Sequence, residues 1–218
     1  MKPDTILALY LDAPLQSWGY GEEGMRFYAF GVTPTHDTNR ALHHASVHAS
    51  KKKRTEVARR MFRMRFGDEV DVEKETINNL RGKEGMRIKT LYGEMGHKYG
   101  VSWKGRNYDS GNWVVADAIN KAISAANASL YALTTAIVCS MGYLPQLGFI
   151  HSTGHLSFVY DVADIYKPEA TLEAAFQTLG AHPDADEKAV LTALKFKIEE
   201  RRLLKRIPVD IEKLLKFD

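Results

Sequence analysis

From residue 122 to residue 144 the chain carries no charged side chain, and this stretch restricts the possible folds more than any other. Ile119, Ile123, Ala126, Leu130, Leu133 and Ile137 recur at intervals of three and four through it. That spacing predicts a helix with one strongly apolar side. A membrane span needs about 20 predominantly apolar residues. Here Ser124, Asn127, Ser129, Thr134, Thr135 and Ser140 interrupt, and alanine supplies much of the rest. The segment therefore predicts the buried central helix of a globular domain, over about 113–141. Its small residues let neighbouring helices approach closely, and Gly142 and Pro145 stop it.

The flanking pattern is also helical from about residue 41. Val57, Met61 and Met64, with Phe62 and Phe66, place an apolar stripe opposite a run of arginines. Asp68 or Asp71 predicts the start of a helix ending near Leu80, and another is expected from about Gly85 to Lys98. Residues 171–179, 185 to 194 and beyond, and 209–217 predict three more. Ahead of them, residues 5–11 and 25–30 are short, branched and aromatic runs ending at turn signals, which predict strands. Residues 31–39 read as a loop. The expected fold class is mainly α: a helical domain over 32–218, preceded over 1–31 by a truncated β element of one or two short strands.

At 218 residues the chain can bury one good core. The net charge of +3 does not by itself demand a polyanionic partner. Its distribution is more pointed. Lys51, Lys52, Lys53, Arg54, Arg59, Arg60, Arg63 and Arg65 crowd one segment, which is either an electrostatic footprint for phosphates or a solvated helix face. The lone Cys139 lies in an apolar run and excludes an internal disulfide; a buried thiol in a reducing cytosol fits it better than a nucleophile. Met1-Lys2-Pro3-Asp4 opens no apolar stretch of the secretory kind. A cytoplasmic protein without a membrane association is the expectation.

The segment 148–164, reading GFIHSTGHLSFVYDVAD, follows the uncharged run directly. It holds His151, then Asp161 and Asp164 at a spacing of three, which share one face if the segment is helical. Imidazole with carboxylates suits a divalent metal, manganese or magnesium more than zinc given the oxygen share. The plainer alternative is a capped turn, with Ser157 or Asp161 capping a short helix and His151 hydrogen-bonded in the core. Residues 147–150 and 156–160 are short apolar pieces flanking Gly154, and predict an extended, hairpin-like excursion that presents His151.

This run, His-Ser-Thr-Gly-His-Leu-Ser-Phe-Val-Tyr-Asp-Val-Ala-Asp, resembles the signature of the CRISPR-associated integrase and endonuclease family, the large catalytic subunit of the spacer-acquisition complex. The similarity is to the type I-E form. Upstream, Met61-Phe62-Arg63-Met64-Arg65-Phe66-Gly67 and Leu80-Arg81-Gly82-Lys83-Glu84-Gly85-Met86-Arg87 resemble the family's helical entry and glutamate motif. Tyr99 to Asp109 and Asp117-Ala118-Ile119-Asn120 follow in family order. The resemblance covers roughly residues 21 to 200. Residues 7–19 instead resemble the opening of the type I-E surveillance-complex subunit that grips the 5′ handle of the guide RNA. An in-frame joining of two neighbouring genes is the expectation there, and a minimal integrase with its own N-terminal hairpin the rival.

The resemblance implies a helical catalytic domain behind a β-domain of which only a remnant is recognisable. It implies metal-dependent phosphodiester transfer that inserts spacer DNA into the repeat array, as part of antiviral defence. It assigns the metal, Mg²⁺ or Mn²⁺, to Glu84, His151 and Asp164, with Asp161 as a further acidic catalytic position. Glu84 follows Gly82 and Lys83, where a helix start would also favour an acid through the helix dipole. Arg26, Arg59, Arg63, Arg81 and Arg87 are the candidates for DNA phosphate, since arginine forks match its oxygens in pairs; Arg63 and Arg65 can also pack structurally. Tyr108, Tyr131 and Tyr160 match tyrosines near the family's site, and aromatic core is the other reading of them. Expected partners are double-stranded and branched DNA and a small adaptation protein, with a homodimer usual in the family but doubtful for this N-terminus. The alternative function is a remnant that binds DNA without catalysis or is inactive.

Overall fold

In the computed structural model, residues 38–106 and 117–217 are described, and all of their regular structure is helical. The order is α1 (Thr38–Ala49), α2 (Lys51–Phe66), α3 (Ile77–Tyr99), α4 (Ala118–Ser140), α5 (Ser157–Tyr166), a π-helical turn (Pro168–Leu172), α6 (Glu173–Ala181), α7 (Glu187–Glu200) and α8 (Leu203–Leu215). The mainly α class expected from periodicity is the observed one. The expected strands at 5–11 and 25–30, the boundary at residue 31, the resemblance over 7–19, Arg26 and Tyr108 lie outside the described residues, as does the stretch before Asp117.

The chain divides into two compact units. The first takes its described residues up to Val70, then Tyr131–Ala163, then those from Leu203 on. In it α1 packs on α2 and α2 on α8. Val57, Ala58, Met61 and Phe62 of α2, Leu133 and Ile137 of α4, Phe158 and Val162 of α5, and Leu203, Ile207 and Ile211 of α8 are all buried. The second comprises Asp71–Leu130 and Asp164–Arg202. There α6 packs on α3, α7 and the π turn, burying Leu80, Ile123, Leu130, Phe176, Leu194 and Ile198.

Side-chain caps fix the helix starts. Ser50 Oγ accepts the Lys53 amide at 3.4 Å, Thr76 Oγ1 the Asn79 amide at 3.2 Å, Asp117 Oδ1 the Asn120 amide at 2.9 Å and Asp186 Oδ1 the Ala189 amide at 2.8 Å. Gly100 ends α3 at φ 69°, a left-handed conformation that glycine adopts without strain. α4 is long and apolar enough by length and composition to cross a membrane, but Ile119, Ile123, Leu130, Leu133, Ile137 and Val138 are buried within the protein. It is a core helix.

Several expected boundaries differ. The two helices expected around Leu80 and Gly85 are one, α3, because Gly82 and Gly85 stay helical. A mid-helix glycine weakens a helix by about 1 kcal/mol relative to alanine without ending it. Glu84 therefore sits inside α3 and not at its start, which removes the dipole argument. Residues 157–160 open α5 instead of an extended excursion. α8 starts at Leu203, upstream of the expected residue 209, and carries Pro208 inside it, since Leu203, Leu204 and Ile207 bury on the same face as Ile211 and Leu214. On α2, Met64 is 38% exposed and leaves the apolar stripe to Ala58 and Arg65.

Candidate active site

Geometry concentrates on the loop that links α4 to α5. Asp161, fully buried on α5, receives its bonds from that loop. Its Oδ2 accepts the amides of Phe149 at 2.5 Å and Ile150 at 2.9 Å. Its Oδ1 accepts the His151 amide at 2.9 Å and lies 2.6 Å from His151 Nδ1. A carboxylate offers only acceptors, so Nδ1 carries a proton and donates it to Asp161, which fixes the orientation of the ring. The His151 side chain is 44% exposed. A fully buried anchor thus orients a half-exposed imidazole.

The loop is held elsewhere as well. Phe158 donates its amide to the Pro145 carbonyl at 2.9 Å. Ser157 Oγ accepts the Gly154 amide at 3.0 Å and donates to the Gly154 carbonyl at 2.8 Å. Gly148 is required: a Cβ there would lie 2.7 Å from Ser157 Cβ and collide with the His151 carbonyl. Arg65 is buried and donates from Nη2 to the Asp161 carbonyl at 2.8 Å. Tyr160 stands edge-on between Tyr131, centroid 4.7 Å away, and His151, 6.0 Å away.

The other acidic residues sit differently. Glu84 on α3 is paired along its own helix: Arg87 donates Nε to Oε2 at 3.0 Å and Nη2 to Oε1 at 3.2 Å. Asp164 at the end of α5 pairs with Lys167, 2.5 Å from Nζ to Oδ1. Both carboxylates belong to the second unit and His151 to the first. Among the described residues, no three His, Cys, Asp or Glu side chains form a group that could hold a metal ion. The donor chemistry of Glu84, His151 and Asp164 suits a hard divalent cation, while each carboxylate has a cation of its own chain beside it.

The basic segment splits into roles that charge alone does not reveal. Lys51, Lys52, Arg54 and Arg63 are exposed and Arg59 half-buried; Lys52, Arg59 and Arg63 fall on one face of α2, away from its buried stripe. Arg60 caps α8 instead, donating from Nη1 to the carbonyls of Leu214 at 3.1 Å and Lys216 at 2.7 Å, with its guanidinium 4.6 Å from the Phe217 ring centroid. Arg65 is structural too. In the second unit Arg81 is exposed. Trp103 is an anchor, stacked on Tyr92 at 4.6 Å and edge-on to Phe176 at 5.8 Å. Burial pushes the Cys139 thiol up, away from the reactive thiolate.

One residue of this region had no signal in the sequence. His44 on α1 is fully buried and bridges the same loop, its Nδ1 accepting the Leu144 amide at 3.2 Å and its Nε2 2.9 Å from the Leu147 carbonyl. A histidine between His43 and His48 in a helical pattern looks like any other.

Residues 35–183 match the family described as CRISPR associated protein Cas1. A CRISPR-associated endonuclease Cas1 from Chlorobaculum tepidum is 40% identical over 196 residues, covering 89% of this chain and 66% of the relative. One from Thermus thermophilus is 41% identical over 196 residues, with 90% and 60% covered. The crystal structure of a TtCas1–DNA complex superposes with a TM-score of 0.77 at 40% identity, covering 84% of this chain and 67% of that one. These matches define a CRISPR-associated protein with a helical domain. The chain belongs to the Cas1 family, and it spans about 60–66% of the length of these two curated relatives.

Proposed function

We propose that the chain is a metal-dependent DNA endonuclease and integrase of CRISPR adaptation, acting in the cytoplasm. The observation that carries this reading is the half-exposed His151 imidazole, oriented through Nδ1 by the buried Asp161 in a chain of the Cas1 family. Relatives of this family bear the name endonuclease.

In this reading Glu84, His151 and Asp164 would hold Mg²⁺ or Mn²⁺. The ion, when bound, supplies a positive charge that polarises the scissile phosphate and offsets charge on the attacking or leaving oxygen. Asp161 is the positioning residue behind His151: it sets the ring's tautomer and angle. Arg59 and Arg63 of the first unit and Arg81 and Arg87 of the second are the residues for DNA phosphate. The nucleophile is water in cleavage and a DNA 3′-hydroxyl in integration, so no protein nucleophile is needed. Joining both ends of one fragment requires two such sites at a fixed distance, so integration, unlike cleavage, would need a second copy of the chain, which is doubtful for this N-terminus, and a small adaptation protein.

The test is a titration on a fluorescent branched duplex. Cleavage should require Mg²⁺ or Mn²⁺, disappear in chelator and disappear in His151→Ala and Asp164→Ala. Cleavage that persists in chelator, or that Asp164→Ala leaves intact, overturns the reading.

A further inference from the structure

The loop from Leu144 to His151 has two buried polar anchors. Asp161 grips its far end through three backbone amides and the His151 ring. His44 grips its near end. The two nitrogens of one imidazole point in opposite directions, and here each meets a main-chain group of the same turn: the Leu144 amide at 3.2 Å on Nδ1 and the Leu147 carbonyl at 2.9 Å on Nε2. An amide can only donate and a carbonyl only accept, so the pair fixes the tautomer as Nε2–H with a bare Nδ1. The ring is boxed by Phe158 at 4.5 Å, by Phe149 at 5.5 Å with planes 20° apart, and by Tyr143 edge-on at 5.8 Å. Two of these three aromatics connect to the His151 loop: Phe149 precedes His151 by two residues and donates its amide to Asp161, and Phe158 stands edge-on to Phe149 from α5.

We propose that His44 is a positioning residue for His151, holding the presenting loop in register only while its imidazole is neutral. The proposal rests on the nuclease reading for its effect on catalysis, and on geometry alone for its effect on the loop. A proton on Nδ1 would face the Leu144 N–H with a second donor, so the neutral acceptor is obligatory. Burial pushes His44 down to about 4; the Leu147 carbonyl pulls it up, and His48 and His43 on the same helix push it down. Among the described residues, the charged groups that shift it are histidines and not carboxylates. His43 Nε2 is 2.7 Å from the Leu215 carbonyl, His48 stands edge-on to Phe149 at 5.9 Å, and Tyr143 has the Arg40 guanidinium 5.9 Å from its ring centroid. A packing role alone would be filled by phenylalanine. The polar bridge is what distinguishes histidine here.

The experiment compares wild type with His44→Phe, which keeps the ring and loses both bonds, and His44→Gln, which can keep the donor to Leu147. Nitrogen-15 spectra of the wild-type imidazole should show the Nε2–H tautomer, and the Leu144 amide should exchange slowly at neutral pH and lose protection as His44 titrates. In His44→Phe the Leu144 and His151 amides should exchange faster and the His151 ring signal should move. In the cleavage assay kcat should drop by at least about tenfold, as expected when a reacting group is displaced by a fraction of an ångström, with KM for DNA within about twofold and partial recovery in His44→Gln. An Nδ1–H tautomer, unchanged Leu144 and His151 exchange in a folded variant, or a loss confined to KM overturns the proposal. If His44→Phe does not fold, His44→Gln carries the same readouts. If wild type does not cleave DNA at all, the nuclease reading fails while the exchange and tautomer data still decide the loop anchor.

Discussion

The His151 loop and helix α3 each carry a residue proposed for the same chemistry, yet they are built on opposite principles. His151 is oriented by a buried carboxylate that also closes three backbone amides, so its position is tied to the integrity of the first unit. Glu84 stands on an otherwise regular helix, with a side chain 13% exposed and paired with Arg87 one turn away. Preorganisation is therefore unequal. Any function of His151 should be more tightly coupled to stability than any function of Glu84.

The sharpest break of that comparison is Asp161→Asn against Glu84→Gln. The asparagine amide would present donors to groups that are themselves donors, leaving buried amides unpaired. Asp161→Asn should destabilise by about 2–4 kcal/mol and abolish cleavage together. Glu84→Gln should cost less stability than that, since the amide keeps an acceptor oxygen for Arg87, while abolishing cleavage equally. Urea unfolding set beside the branched-duplex assay reads both. Equal stability losses in the two variants would erase the distinction.

Mild acid should act on the loop side through His44. His44 is neutral in the fold and is held down to about 4, below its ordinary 6.5. Its contribution is present in full above pH 6.5 and is lost as pH falls from there towards 4. A shift of that size corresponds to about 3 kcal/mol. Stability measured from pH 7 to pH 4 should fall less steeply in His44→Phe than in wild type, though the variant starts lower. Parallel curves would remove His44 from the acid response.

Gly148→Ala comes next. The added Cβ meets Ser157 and the loop backbone, and backbone cannot step aside as a flexible side chain can. A loss of about 1–3 kcal/mol is expected, by analogy with overpacking, with faster exchange at the amides of residues 149 to 151.

How much of this could be read in the chain beforehand depends on the range of the interaction. The buried face of α4 follows from local periodicity, and Ile119, Ile123, Leu130 and Leu133 are indeed in the core. Glycine was misleading in α3, because a residue that often ends helices also survives inside them when caps such as Thr76 and Gly100 set the ends. The run 51–65 shows where charge lies but not where it points. Arg60 and Arg65 turned out to serve carbonyls at 213–216 and 161, partners that no local pattern encodes. His44 meets its partners across 100 and 103 residues of chain. His151 and Asp161 are legible as members of one motif, but that Asp161 bonds the His151 ring and is spent on backbone amides requires the fold.

The smallest expected effect completes the contrast between the two regions, since it uses the same substitution in the other place. Gly85 lies within α3, adopts helical backbone and has no described atom within 4 Å of where a Cβ would stand. Alanine at such a site gives up less backbone entropy on folding and gains helix propensity, so Gly85→Ala should stabilise by up to about 1 kcal/mol. Gly82, also without a described neighbour, should respond in the same direction. Thermal unfolding of Gly85→Ala beside Gly148→Ala then gives shifts of opposite sign from one chemical change. The informative addition is DNA affinity. A glycine that the fold does not require leaves bare backbone on the face of α3 that also carries exposed Arg81. A methyl group there that raises the melting temperature and leaves affinity unchanged marks the glycine as neutral surface. One that raises the melting temperature while weakening DNA binding shows that the duplex comes within van der Waals reach of α3, and that the looser construction of the Glu84 region serves substrate approach.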